Sequence, residues 1–177
     1  MVALPLPDTA AASRLLDQLV LQSPESGPCP IDRPLVLYGA GKMGHLAADL
    51  LRRLDFPVEY AVDRSPPPNR LLDNRIPVIK PEEVPREHRS THRIAVCVVF
   101  SPFDPIRAAL EEMGWLHITP FYDIAEAYIE RVPMGNGWFS GPLDPVETEE
   151  MRLILSRWGD DYSRAAHMQF LAWRMHR

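Results

Sequence analysis

Residues 35–54, "LVLYGAGKMGHLAADLLRRL", constrain the fold more than any other stretch of this chain. A short apolar run leads into glycines spaced G-x-G-x-x-G, and Met43, Leu46, Ala47, Leu50, Leu51 and Leu54 then recur at helical spacing. That is the pattern of a buried strand, a tight turn and an amphipathic helix laid back on the strand. Gly39 permits the turn, Gly41 lets a pyrophosphate approach the backbone, and Gly44 lets the helix pack close to the sheet. Freed N–H groups and the positive end of the helix favour an anion there. Gly39, Ala40, Gly41, Lys42, Met43 and Gly44 are therefore candidate cofactor-binding residues, with Lys42 also readable as a plain solvent-exposed side chain.

An acid completes the pattern. Asp63 ends the next strand-like run, "VEYAVD", nineteen positions beyond Gly44, where a carboxylate accepts hydrogen bonds from a ribose diol. Arg64 beside it suits a 2′-phosphate, so NAD is favoured over NADP but not to its exclusion. Ser101 follows the strong strand "RIAVCVVF" and is a further candidate, because ligands of open α/β sheets lie beyond the carboxyl ends of the strands. It also reads as the start of a loop. Three outcomes stay open: a dinucleotide, another nucleotide or nucleotide-sugar, and a turn whose site is empty. A P-loop is excluded, since the Lys-Ser/Thr pair and its spacing are missing. An S-adenosylmethionine domain shares the loop and the acid but needs more strands than this chain has room for.

Around that core, strands alternate with helices. "IPVI" reads as a weak strand, "PEEVPREH" as a broken helix, "DPIRAALEEMG" as a helix capped by Asp104, "WLHITPF" as a strand and "DIAEAYIER" as a helix. "SPPPNRLLDNR" reads as a stiff polar excursion. Alternation implies parallel strands with right-handed crossovers, hence a three-layer, Rossmann-like open parallel sheet. A short helix over residues 8–22, capped by Asp8 or Thr9, precedes it, with Leu15, Leu16, Leu19 and Val20 apolar. A helical hairpin follows. Its first helix opens on the capping box Asp144-Pro145-x-Glu147, and its second places Ala166, Phe170 and Trp173 on one side. The expected divisions are 1–32 (helix and linker), 33–131 (nucleotide-binding domain) and 132–177 (glycine-rich loop and helical tail). In that loop, "GNGWFSG", Trp138 and Phe139 read as a packing anchor or a contact surface.

Composition narrows the partners. A net charge of −5 over 177 residues argues against nucleic acid and against an anionic membrane surface. No apolar run is long enough for a bilayer and no basic n-region opens the chain, so a cytoplasmic location is expected. Cys29 and Cys97 read as free thiols. His88 and His92 stand four apart, the spacing of a metal pair on a helix, but Ser90 and Thr91 lie between them and no carboxylate or cysteine stands in a recognised ligand spacing, so no metal is expected. No nucleophilic triad or Tyr-x-x-x-Lys pair can be assembled, the two lysines being Lys42 and Lys80. No catalytic residue is assigned. His45 reads as a surface residue, and His117 is placed near the switch point of the sheet or as a half-buried strand residue.

"VLYGAGKMG", "YAVDRS", "IPVIKPEEV" and the tail "NGWFSGPLDPVETEEMRLILSRWGDDYSRAAHMQFLAWR" resemble the region that precedes the catalytic domain in longer FkbM-type methyltransferases, over about residues 33–174. The resemblance implies a Rossmann-like nucleotide-binding module with a helical connector. It puts Gly39, Gly41 and Gly44 at the phosphate turn and Asp63 at the ribose. It implies an accessory module of, or derived from, an S-adenosylmethionine-dependent methyltransferase, lacking that enzyme's catalytic domain. The implied partners are the nucleotide and the methyltransferase domain; apart from the resemblance, the apolar residues Trp158, Phe170 and Trp173 of the tail suit a homodimer contact as the alternative. A small NAD(P)-dependent oxidoreductase using Ser101 or His117, and a protein-interaction module with a vestigial site, stand as alternatives.

Overall fold

The computed structural model describes residues 6–22, 27–133 and 143–176; "GNGWFSG", with Trp138 and Phe139, lies outside them. The elements in chain order begin with α1 (Thr9–Leu21), β1 (Leu35–Tyr38), α2 (Lys42–Arg53), β2 (Val58–Val62), β3 (Leu71–Leu72) and β4 (Ile76–Ile79). A 3₁₀ turn (Pro81–Glu83) leads to α3 (His88–Thr91), β5 (Arg93–Val96), α4 (Phe103–Glu112), β6 (Ile118–Pro120) and α5 (Phe121–Ala127), and the chain closes with α6 (Pro145–Arg157) and α7 (Asp161–His176). They fall into two compact units. One is an α/β unit, Pro28–Asn136; the other draws on Met1–Gly27 and Gly137–Arg177 and is helical.

The α/β unit holds a six-stranded sheet of order β3-β4-β2-β1-β5-β6. Five strands are parallel, and only β3 runs antiparallel, against β4. The order reverses at β1. From β1 the chain steps to β2 on one side, and from β5 it steps to β6 on the other. Right-handed crossovers therefore put α2 and α4 on opposite faces. Alternation along each strand divides the core accordingly. Val36, Tyr38, Val62, Ile94 and Val96 share one cluster with Leu110 of α4 and Trp115. Leu35, Leu37, Ala61 and Ala95 are fully or almost fully buried outside that cluster. The segment after residue 27 is a covering strap, pinned by Cys29 N–H to the Asp123 carbonyl (2.9 Å) and by the Tyr128 hydroxyl to Ile31 N–H (2.9 Å).

Several local details differ from the sequence expectations. The strong apolar run "RIAVCVVF" stays in the sheet only to Val96, because its partner β1 ends at Tyr38. Cys97 N–H makes the last bond, 2.8 Å to the Tyr38 carbonyl, and the chain then leaves the sheet. The polar excursion contains β3, joined to β4 by a tight turn in which Asp73 (φ 54°) and Asn74 (φ 56°) are both left-handed. Two consecutive left-handed residues match the twist of a tight hairpin, and Asp and Asn tolerate that conformation better than most residues. Pro102, not Asp104, caps α4; Asp104 lies in its first turn and pairs with Arg107 at 3.0 Å.

In the helical unit, α1 packs on both α6 and α7 through Ala12, Leu16, Leu155, Met168, Leu171 and Met175. The buried side of α7 is thus Met168, Leu171 and Met175. Ala166, Phe170 and Trp173 share the exposed side instead, Phe170 being 59% accessible. Two caps stand where the sequence puts them. Asp8 accepts from Ala11 N–H at 2.7 Å. Asp144 accepts from Val146 and Glu147 N–H while Glu147 accepts from Asp144 N–H.

Candidate functional site: a cleft at the glycine loop

The turn "GAGKMG" runs from the carboxyl end of β1 into α2, with Gly41 at the N-cap position. Gly39 has φ +104°, and a Cβ there would lie 3.2 Å from the Cys97 carbonyl oxygen, so the turn itself needs glycine. Gly44 is buried in the first turn of α2, and a Cβ there would lie 2.3 Å from the Gly39 carbonyl oxygen. The loop closes on the helix through that contact. Gly41 is different. Its φ is −81°, and nothing lies within 4 Å of where its Cβ would be.

Gly41 faces a cleft of about 590 Å³ at the carboxyl ends of the strands, bordered by Gly39, Lys42, Met43, Asp63 and the segment Cys97–Phe100. Two departures from the expected pattern build it. Leu46, part of the apolar stripe of α2, is 40% exposed and lines the cleft with Met43 rather than entering the core. The residues after β5, having left the sheet, form the facing wall, and Phe100 stands 96% exposed at its rim. The lining is thus largely apolar, with the loop backbone at one end.

Asp63 occupies a double role. Its Oδ2 accepts from Ala40 N–H at 2.7 Å and its Oδ1 accepts from Ser65 N–H at 2.8 Å, so the carboxylate ties the glycine loop to the end of β2. The same carboxylate borders the cleft. It brings negative charge to a site whose helix end is positive. Hydroxyl donors are therefore welcome beside it, and a further phosphate is not.

The other candidates spread out. Arg64 and Ser101 are exposed, and neither borders the cleft. His45 is exposed on α2 and meets Asp73 at 3.1 Å. His117 precedes β6, whose partner Ile94 lies at the start of β5, so it belongs to the amino ends of the strands and not to the switch point. Burial pushes the Cys97 thiol far up from its ordinary value, which keeps it protonated at neutral pH. The sequence signals the glycines and Asp63. It does not signal Leu46, Val98, Val99 or Phe100 as site residues, because apolar strand and helix residues carry no mark of which neighbour they will lack.

Among the described residues, no helix is long and apolar enough to cross a membrane. Comparisons with protein-family models, with curated proteins and with solved structures give no match for this chain.

Proposed function

We propose that the α/β unit is a Rossmann-like nucleotide-binding module for an NAD-type dinucleotide, accessory to or derived from an FkbM-type methyltransferase and not itself catalytic. Gly41 carries this reading. The fold's own packing accounts for Gly39 and Gly44, while at Gly41 there is open space and an ordinary backbone conformation. A residue without a side chain at the N-cap of a helix, facing a cleft, is what an approaching pyrophosphate requires.

Three features support it. The parallel strands, counted in chain order, run 3-2-1-4-5, the doubly wound order, with the cleft where the order reverses. A cavity of 590 Å³ is of small-molecule size. Its apolar walls and the exposed Phe100 ring suit an adenine, and Asp63 suits a ribose diol. Because Asp63 borders the cleft and Arg64 does not, NAD is favoured over NADP. The oxidoreductase alternative is the weaker one. Ser101 and His117 are both off the cleft, and its titratable lining is Lys42, Asp63 and the buried Cys97. In the same reading the protein is cytoplasmic. The helical unit would contact a methyltransferase domain or a second copy through Trp158, Phe170 and Trp173, all partly exposed.

Calorimetric titration with NAD, NADP, S-adenosylmethionine and a UDP-sugar tests the reading, run on the parent chain and on Gly41→Asp. NAD should bind the parent and not the variant, through bulk and like charge at the phosphate. Binding of S-adenosylmethionine or the UDP-sugar alone would reassign the ligand class. Silence from all four would leave the loop as a turn.

A further inference from the structure

We propose that Glu59, His88 and His92 form a binding site for a first-row divalent cation, Zn²⁺ by its ligand set, at the amino ends of the strands. The site is independent of the glycine cleft, which lies at the other end of the sheet. The histidines are four apart along one face of α3 and its C-cap, and the fold brings Glu59 to them from β2. Glu59, second residue of β2, approaches His92 Nε2 at 3.1 Å and His88 Nδ1 at 3.9 Å. One ligand atom from each of the three residues lies within 4.8 Å of the others.

Proton placement argues for a cation. Thr91 Oγ1 donates its single proton to the Glu87 carbonyl at 2.9 Å, so it can only accept from His92 Nδ1, also at 2.9 Å. With Nδ1 protonated, a neutral His92 turns the lone pair of Nε2 toward the Glu59 carboxylate. Two acceptors 3.1 Å apart repel unless something positive lies between them. The Tyr60 hydroxyl meets His88 Nδ1 at 3.0 Å, a hydrogen bond that a metal at Nδ1 would replace. Two imidazoles and a carboxylate are the donor set of a Zn²⁺ site with one position open. Thr91 orients His92 as outer-shell partners of metal-bound histidines do.

The competing occupant is a proton, which would make His92 an imidazolium in an ordinary ion pair. The rings of His88 and His92 are stacked, 3.9 Å apart and 17° from parallel, so their nitrogens stand side by side. Taking up a metal turns the His88 ring so that the lone pairs converge, and exchanges its hydrogen bond with Tyr60 for a metal bond.

Titration of the metal-free full chain with ZnCl₂, followed by calorimetry, tests this together with the visible spectrum of the Co²⁺ form. One ion per chain and a four-coordinate Co²⁺ spectrum are expected. Glu59→Gln and His88→Gln should each weaken binding by about 100-fold or more, the upper end of what loss of an outer-shell partner does. Both residues are at the surface of the cluster, and circular dichroism checks that each variant folds. Tyr60→Phe removes the competing hydrogen bond, so it should keep or raise affinity; an ion pair alone predicts no such gain. No Zn²⁺ uptake by the parent chain, or equal uptake by both Gln variants, overturns the proposal and leaves the proton.

Discussion

At the carboxyl ends of the strands the chain builds with backbone: glycines, freed N–H groups, one carboxylate tying a loop, and apolar walls. At the amino ends it builds with side chains: Glu59, His88 and His92, and beside β5 the pairs that Asp32 makes with Arg33 and Arg93. The carboxyl end is a shaped cleft with little to titrate. The amino end is a surface rich in charge. What a substitution does should therefore depend on the end it touches: steric and large at the glycines, electrostatic and condition-dependent at the other end.

Gly44→Ala should have the largest effect. Its Cβ would sit 2.3 Å from a backbone oxygen that cannot swing aside, so the loop or α2 must move, at a cost on the order of 3 kcal/mol. Thermal unfolding measures it. A melting temperature within a degree of the parent would mean that the loop-to-helix contact is not tight. Asp63→Asn comes next, at about 1–3 kcal/mol, because an amide cannot accept from Ala40 and Ser65 N–H with both its atoms. Denaturant unfolding reports it. Gly39→Ala, forcing a Cβ into the left-handed region beside Cys97, should destabilise by about 1–2 kcal/mol.

The amino end predicts a pH effect. The hydrogen bond from Arg33, with the charge of Arg93 nearby, holds the Asp32 carboxyl down at about 2, from 3.8. A depressed carboxylate stabilises the fold fully above its unfolded value, so this contribution fades as pH falls from about 4 toward 2. Asp32→Asn should flatten that limb of the stability profile and leave neutral pH nearly unchanged. Were the limb unaltered, the exposed Asp32 pairs would contribute nothing measurable, as solvent-exposed pairs often do. The smallest change belongs to Gly41→Ala, which should leave stability within about 0.5 kcal/mol, since no atom and no unusual φ opposes it. A loss comparable to that of Gly39→Ala would mean that Gly41 serves the fold, and would remove the argument for a ligand there.

Much of the fold was legible because its signals are local. The caps at Asp8 and Asp144 act within three residues, the strand-turn-helix at Gly39–Gly44 within six, and the alternation of strands and helices implied a mainly parallel sheet. Even the β3–β4 turn carried a signal in Asp73-Asn74, masked by the prolines around it. The sides of α7 were not legible. Spacing groups Ala166, Phe170 and Trp173, and groups Met168, Leu171 and Met175 just as well; which group is covered depends on where α1 and α6 lie. The end of β5 was hidden for the same reason, since a strand stops when its partner does.

The sequence by itself therefore determined the elements, the glycine turn and the acid after β2, all written in neighbouring residues. Only the tertiary structure decided that, within the glycine turn, Gly41 is the one the packing does not explain, that Leu46 and Phe100 wall a cleft, and that Glu59 meets two histidines about thirty residues away. Those facts concern space between elements, and space between elements is set by how layers pack, which no single stretch of sequence encodes.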